Sequence, residues 1–234
     1  PGPSPRDPPH GPPPRTPPTD QPPPVPGEGN REGASLSIDH SVEPAPPEWA
    51  AVGQCLRHYA RGVALANTDR IAEAREELAG FDAAVKRIPE GEWWLGNQPA
   101  VEIMPLARLV LEGEIEFKAG NRDRGLELLA QAVAIEERLV YAEPAPWMMP
   151  ARHAYGALLI VDGRYQDAER VYLRDLEIFP ANGWALLGLR DALRGQGRTD
   201  ESIRIDEAFR KAWASADVLP PASCYCGTPV ASAD

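Results

Sequence analysis

The most reactive side chains of this chain belong to three cysteines and four histidines. Cys224 and Cys226 are separated by one residue, a spacing that suits a redox pair or two ligands of a metal ion. A zinc site needs two further ligands, and Cys55 lies far away in the sequence. We therefore expect a flexible thiol pair with no metal and no cofactor. His58 and His153 fall in separate predicted helices, outside any H-E-x-x-H spacing, so we expect them to be surface or groove histidines.

The common catalytic motifs are missing from the sequence. It contains no G-x-x-x-x-G-K-[ST] phosphate loop, no G-x-S-x-G elbow and no G-x-G-x-x-G turn. Acidic pairs in the predicted helices are typical of solvated faces. We therefore expect that the protein is not an enzyme. The alternative is an enzyme or metal-binding protein that uses His58, His153 or the pair Cys224 and Cys226.

The stretch between Pro150 and Pro180 indicates the element that positions these residues, a helical hairpin. Gly156 and Ala168 are small residues at which two helices can approach closely, and Gly163 supplies the turn between them. One hairpin cannot bury its apolar face alone, so neighbouring hairpins must cover the rest.

The same spacing of small and turn residues recurs along the chain. Gly62 and Asp69 are seven residues apart, as are Gly113 and Gly120, and Gly197 follows Gly163 by 34 residues. The spacing predicts helices over about 50–67, 70–87, 98–119, 122–139, 151–162, 164–179, 182–197 and 199–216. The extra residues between hairpins form loops that carry three tryptophans, which we expect to pack over hairpin ends: Trp93, Trp94 and Trp147.

These positions resemble the tetratricopeptide repeat, whose pattern is W-x2-L-G-x2-Y, A-x3-F and P in a period of about 34 residues. The corresponding residues here, of which only the first two depart in type, are Arg152, Tyr155, Gly156, Leu159, Ala168, Tyr172 and Pro180. The string from Tyr141 to Leu189 also resembles the C-terminal region of longer bacterial tetratricopeptide proteins. The resemblance implies an all-α fold, a tetratricopeptide-like α-solenoid of about four helical hairpins over residues 48–216.

In that family the first helices of successive hairpins line a concave groove, and this resemblance implies a function. The groove would be lined by Tyr59, Asn67, Glu114, Lys118, His153, Asp191 and Arg194. A groove of mixed charge suits a peptide or a partner helix. We therefore expect a non-catalytic protein-protein interaction scaffold.

The two ends of the chain lack apolar periodicity. Residues 1–47 hold 17 of the 27 prolines and are predicted to be a disordered, locally polyproline II segment; binding of an SH3- or WW-like domain is the alternative to a linker. Residues 217–234 are predicted to be an irregular tail that contains two cysteines and lies outside the core.

Composition limits the remaining function classes. A net charge of −11 disfavours nucleic acid as a partner, because such affinity comes largely from neutralising phosphates. The sequence has no run of about 18 apolar residues, so we expect no membrane association. With no signal peptide apparent, we expect a cytoplasmic protein. The sequence does not indicate an oligomeric state.

Overall fold

The computed structural model describes residues 45–227, except positions 48, 90, 92 and 144. Within these residues the chain forms eight α-helices and one two-stranded antiparallel sheet, so the expected predominantly helical fold is confirmed. The helices are α1 (Ala51–Ala66), α2 (Ile71–Val85), α3 (Ala100–Lys118), α4 (Arg122–Glu136), α5 (Ala151–Val161), α6 (Tyr165–Ile178), α7 (Gly183–Gly195) and α8 (Thr199–Ala212). None of these helices is long and apolar enough to cross a membrane.

The predicted N-terminal segment, residues 1–47, lies outside the described residues except at its end. There the carbonyl of Pro46 accepts a hydrogen bond of 2.8 Å from the Gln54 side chain of α1. The last residues of the predicted segment therefore contact the first helix.

The turns within successive helix pairs share one backbone conformation, as the spacing of glycines predicted. The residue with positive φ in each turn is Asp69 (60°), Gly120 (94°), Gly163 (77°) or Gly197 (73°). Only glycine adopts this conformation without steric cost, although aspartate tolerates it better than most residues. The residue after each of them donates its backbone N–H to the carbonyl five residues earlier, as Arg164 does to Leu159 at 2.9 Å.

Each helix packs against the next one along the chain, and α1, α3, α5 and α7 also contact one another in that order. Burial differs between the two sets of helices. In α5 nine of the 11 residues are buried, whereas in α6 only three of the 14 are buried. The odd-numbered helices are therefore covered on more than one side.

A buried aromatic ring fills the space between α5 and α7. Tyr172 of α6 is completely buried, and its ring lies against two glycines. A Cβ added at Gly156 would lie 2.6 Å from the ring, and one at Gly188 would lie 2.1 Å from it. Gly156 therefore does lie at a close helix contact, and the glycines allow the Tyr172 side chain to reach across from α6.

The two longest loops contact each other through β2 (Gln98–Pro99), which pairs with β1 (Trp94–Leu95). The Gln98 side chain is buried and accepts a hydrogen bond of 2.8 Å from the Val140 backbone in the loop after α4. Trp147 of that second loop is buried, as expected, whereas Trp94 is 57% exposed and does not act as a lid.

The starts of α8 and α3 each contain a residue type that is common at helix starts, a threonine and a proline. Thr199 is the first residue of α8, and Arg198 occupies the position before the helix without a side-chain cap. Pro105 lies in the second turn of α3, which begins at Ala100 and not at the proline. Because proline has no N–H, α3 lacks one backbone hydrogen bond at this position, although the helix continues through it.

Candidate functional site

The segment after α8 returns to the helices. The described part of the predicted tail, residues 217–227, has no helix or strand, as expected. The expectation that it lies outside the core is wrong, because four of its residues are buried: Ala222, Ser223, Cys224 and Cys226. Both cysteines belong to the main hydrophobic cluster of the protein. We call residues 222–227 the tail segment.

Side chains and backbone groups from three helices hold the tail segment. The Lys118 ammonium of α3 donates to the carbonyl of Cys226 at 3.2 Å. The hydroxyl groups of Tyr172 and Ser223 hydrogen-bond each other, and both residues are buried. Tyr225 donates its hydroxyl to Glu114 at 3.4 Å.

Small residues of α5 form the floor beneath the tail segment. The Sγ atom of Cys226 lies 3.9 Å from the carbonyl oxygen of Ala154. A Cβ added at Gly227 would lie 3.1 Å from the Cβ of Ala157. We call the surface formed by Glu114, Lys118, Ala154, Ala157 and Tyr172 the tail-binding surface.

Cys224 and Cys226 are joined by a disulfide, which corrects the expectation of a flexible thiol pair. The backbone N–H of Cys226 also donates to the sulfur of Cys224 at 3.2 Å, and the backbone N–H of Gly227 donates to the carbonyl of Cys224 at 3.0 Å. These bonds close a tight turn with Tyr225 between the two cysteines. In this state neither sulfur is a thiolate that could bind a metal ion.

Glu114 is a fully buried acid at the centre of the tail-binding surface. One of its carboxyl oxygens accepts the hydrogen bond from Tyr225. The other accepts a hydrogen bond of 2.8 Å from the side chain of Asn67, which follows α1. Burial raises the pKa of Glu114 to about 7, although the hydrogen bonds from Asn67 and Tyr225 and the charge of Lys118 oppose this rise. Near neutral pH this side chain is therefore close to its midpoint between carboxylate and carboxylic acid.

Tyr59 of α1 completes the polar surroundings of Tyr225. Burial raises the pKa of the Tyr59 hydroxyl, and the negative charge of Glu114 raises it further. The ring of Trp147 meets that of Tyr59 edge to face, with centroids 4.9 Å apart. The loop between α4 and α5 therefore covers α1 next to the tail-binding surface.

The structure brings together four of the seven residues predicted to line a groove: Tyr59, Asn67, Glu114 and Lys118. The other three have different partners. Asp191 is buried and accepts a hydrogen bond of 2.8 Å from Arg190, and Arg194 lies 3.9 Å from the same carboxylate. His153 belongs to the separate cluster described next.

His153 and Arg152 of α5 lie in a buried polar cluster with Asp175 of α6. The imidazole lies 3.4 Å from the Asp175 carboxylate, and the side-chain amide of Asn182 donates to both groups. Arg152 donates to Glu137 at 2.7 Å and lies 3.9 Å from Asp175. Each charged group of this cluster lies within 4 Å of an oppositely charged group or a histidine, as in a structural network. Asp175 gave no signal in the sequence, because an acid on a predicted second helix resembles any solvated charge.

A pocket of about 340 Å³ lies beside this cluster, between the loop after α4 and the end of α6. Its walls include Tyr141, Trp147, Pro150 and Phe179, so it is mainly apolar. One oxygen of Glu136, which also lines the pocket, is buried without a hydrogen bond. The volume of this pocket is at the lower end of the range for sites that bind small molecules.

The histidines of the alternative hypothesis have separate partners. Nδ1 of His58 lies 2.6 Å from Glu77, which also accepts a hydrogen bond from Arg61. His153 contacts Asp175 and Asn182 as described. Among the residues that the structure describes, no three His, Cys, Asp or Glu side chains are grouped so that they could hold a metal ion.

Comparison with known proteins identifies no relative of this chain. No protein-family model matches it, and no curated protein and no solved structure matches it significantly.

Proposed function

We propose that this chain is a non-catalytic interaction module, a tetratricopeptide-like solenoid of four helical hairpins that binds a peptide segment of a partner protein. The observation that carries the proposal is the seating of residues 222–227 on the surface formed by α3, α5 and α6. A surface that holds one irregular segment through a backbone carbonyl and a side-chain hydroxyl has the chemistry needed to hold another.

The arrangement of the helices supports the solenoid. Each helix packs on the next one, and the odd-numbered helices contact one another in order, as first helices of stacked hairpins do. The turn residues Gly163 and Gly197, which share a positive φ, are one 34-residue period apart. In this arrangement α1, α3, α5 and α7 line the concave side.

The contacts of the polar groups support binding instead of catalysis. Lys118 donates to a carbonyl, and Glu114 accepts from a tyrosine hydroxyl and from Asn67. These are hydrogen bonds of peptide recognition. The tail segment forms a turn, closed by the bond from Gly227 to Cys224, so a peptide in a turn conformation fits this surface better than a partner helix does.

The test begins with a pull-down from the source organism and continues with titration of the recovered partner. Lys118→Ala removes the cation that donates to the Cys226 carbonyl, and we expect it to weaken binding by more than tenfold, about 1.4 kcal/mol. The matched control is Arg170→Ala, on the exposed face of α6, which should change binding by less than threefold. Circular dichroism should show unchanged helicity in both variants.

Equal losses in the two variants would indicate a non-specific charge effect and contradict the assignment of the binding surface. Unchanged binding in the Lys118→Ala variant would contradict it as well.

A further inference from the structure

The tail segment covers the groups to which the proposed partner would bind. The Lys118 ammonium already donates to the carbonyl of Cys226, and the Glu114 carboxyl already accepts from Tyr225. Ala154 and Ala157 are covered by Cys226 and Gly227. The tail segment and a partner peptide therefore cannot occupy this surface at the same time.

The tail segment is held by contacts that a competitor could replace. Its direct hydrogen bonds to the helices are few, and the bond from Tyr225 to Glu114 is long at 3.4 Å. The Tyr225 residue keeps 49% of its surface exposed. The tether to α8 gives the tail segment an effective concentration on the order of millimolar, so a tail segment that itself binds the surface with a Kd of about 100 µM would weaken a competing peptide roughly tenfold.

The tail segment also indicates the chemistry of the partner. A tyrosine hydroxyl faces Glu114 and Tyr59, the following carbonyl faces Lys118, and the residues over Ala154 and Ala157 are small. A phosphate on that tyrosine would bring a charge of about −1.5 to −2 next to the Glu114 carboxyl, which disfavours binding. The surface therefore suits an unmodified tyrosine followed by small residues.

We propose that residues 222–227 are an internal competitor for this surface, and that the partner binds through a segment with an unmodified tyrosine followed by small residues. This inference rests on the proposed function. It adds a mode of regulation, because the partner must displace the tail segment, and it adds a preference for the sequence of the partner's segment.

The experiment uses the full chain and a synthetic peptide of residues 222–227 in its disulfide form, with blocked ends. In the release variant, Ser223→Ala and Tyr225→Ala remove both side-chain hydrogen bonds of the tail segment. The control variant is Leu219→Ala, which changes an exposed residue of the same tail. By calorimetry we expect the release variant to bind the peptide at least tenfold more tightly than the unchanged chain and the Leu219→Ala variant.

Two altered peptides test the preference. A peptide with phenylalanine in place of the tyrosine should bind the release variant several-fold more weakly, and a phosphotyrosine peptide should show no measurable binding. A phosphotyrosine peptide that binds as tightly as the unmodified one would overturn the assignment to Glu114. If the release variant and the unchanged chain bind the peptide with equal affinity, internal competition is overturned. It is also overturned if a folded release variant does not bind the peptide.

The outcomes that overturn internal competition can be distinguished from a failure of the proposed function. A partner from the pull-down that depends on Lys118 but binds the release variant and the unchanged chain equally would leave the interaction module intact and remove only the competitor. A partner that does not depend on Lys118 would remove the proposed function itself.

Discussion

Replacement of Glu114 by glutamine should change how the stability of this protein depends on pH. An ordinary glutamate has a pKa of 4.5, and burial raises that of Glu114 to about 7. The folded state therefore holds this proton more tightly than the unfolded state does. Its contribution to stability is fully present below pH 4.5 and is lost as the pH rises through 7.

The size of the effect follows from the two pKa values. Each pH unit between them corresponds to about 1.4 kcal/mol, so the ionised side chain lowers the free energy of unfolding by roughly 3 kcal/mol at pH 8 and by about 1 kcal/mol at pH 5. Glutamine does not ionise, and its carbonyl can still accept the hydrogen bond from Asn67. We expect the difference in unfolding free energy between Glu114→Gln and the unchanged chain to grow by about 2 kcal/mol from pH 5 to pH 8.

Denaturant unfolding followed by circular dichroism at several pH values measures this difference. Other titrating groups cancel in it because they are present in both proteins. Glu127→Gln is the control, since the Glu127 side chain is 66% exposed, and its difference should vary by less than about 0.5 kcal/mol. A difference for Glu114→Gln that is equally constant would refute the burial of Glu114 beneath the tail segment.

Two further predictions concern the packing of the helices and the buried polar cluster. Gly188→Ala should lower the free energy of unfolding by about 1–3 kcal/mol, because its Cβ would lie 2.1 Å from the Tyr172 ring. The control Gly53→Ala should be neutral or slightly stabilising, because its Cβ would lie 3.5 Å from the nearest atom. Thermal melts of the two variants measure the difference. Asp175→Ala should lower the free energy of unfolding in denaturant by about 3 kcal/mol, because it removes a carboxylate that faces the buried Arg152. Asp167→Ala, on the exposed face of α6, should lower it by less than about 1 kcal/mol. Equal costs for the two aspartates would contradict the structural importance of the cluster.

The helices and their turns could be predicted from local residues. Asp69 and Gly163 were assigned to turns because a positive φ is a property of one residue and its immediate neighbours. Apolar spacing located the eight helices, and Gly156 was expected at a close contact because small residues allow helices to approach. These features depend on interactions over a few residues or on one repeat period, which the sequence displays directly.

The positions of single polar residues were less predictable. Glu114 and Asn67 were expected on one surface from the resemblance to a repeat family, and the structure does bring them into contact. That Glu114 is fully buried and contacts Tyr225 could not be inferred, because this contact joins residues more than 100 positions apart in the chain. Likewise, Gln98 joins two loops through a bond to residue 140 that no local pattern signals.

The tail segment shows most clearly where the sequence alone is insufficient. Its composition and lack of periodicity determined that it forms no helix or strand, because secondary structure responds to local propensity. Only the tertiary structure decided that it is buried, because burial depends on the shape of the surface that α3, α5 and α6 build together. Two cysteines with a tyrosine between them indicate a reactive pair when read alone. On a floor of alanines, beside Lys118 and Glu114, they become a disulfide-closed turn that packs on α3, α5 and α6.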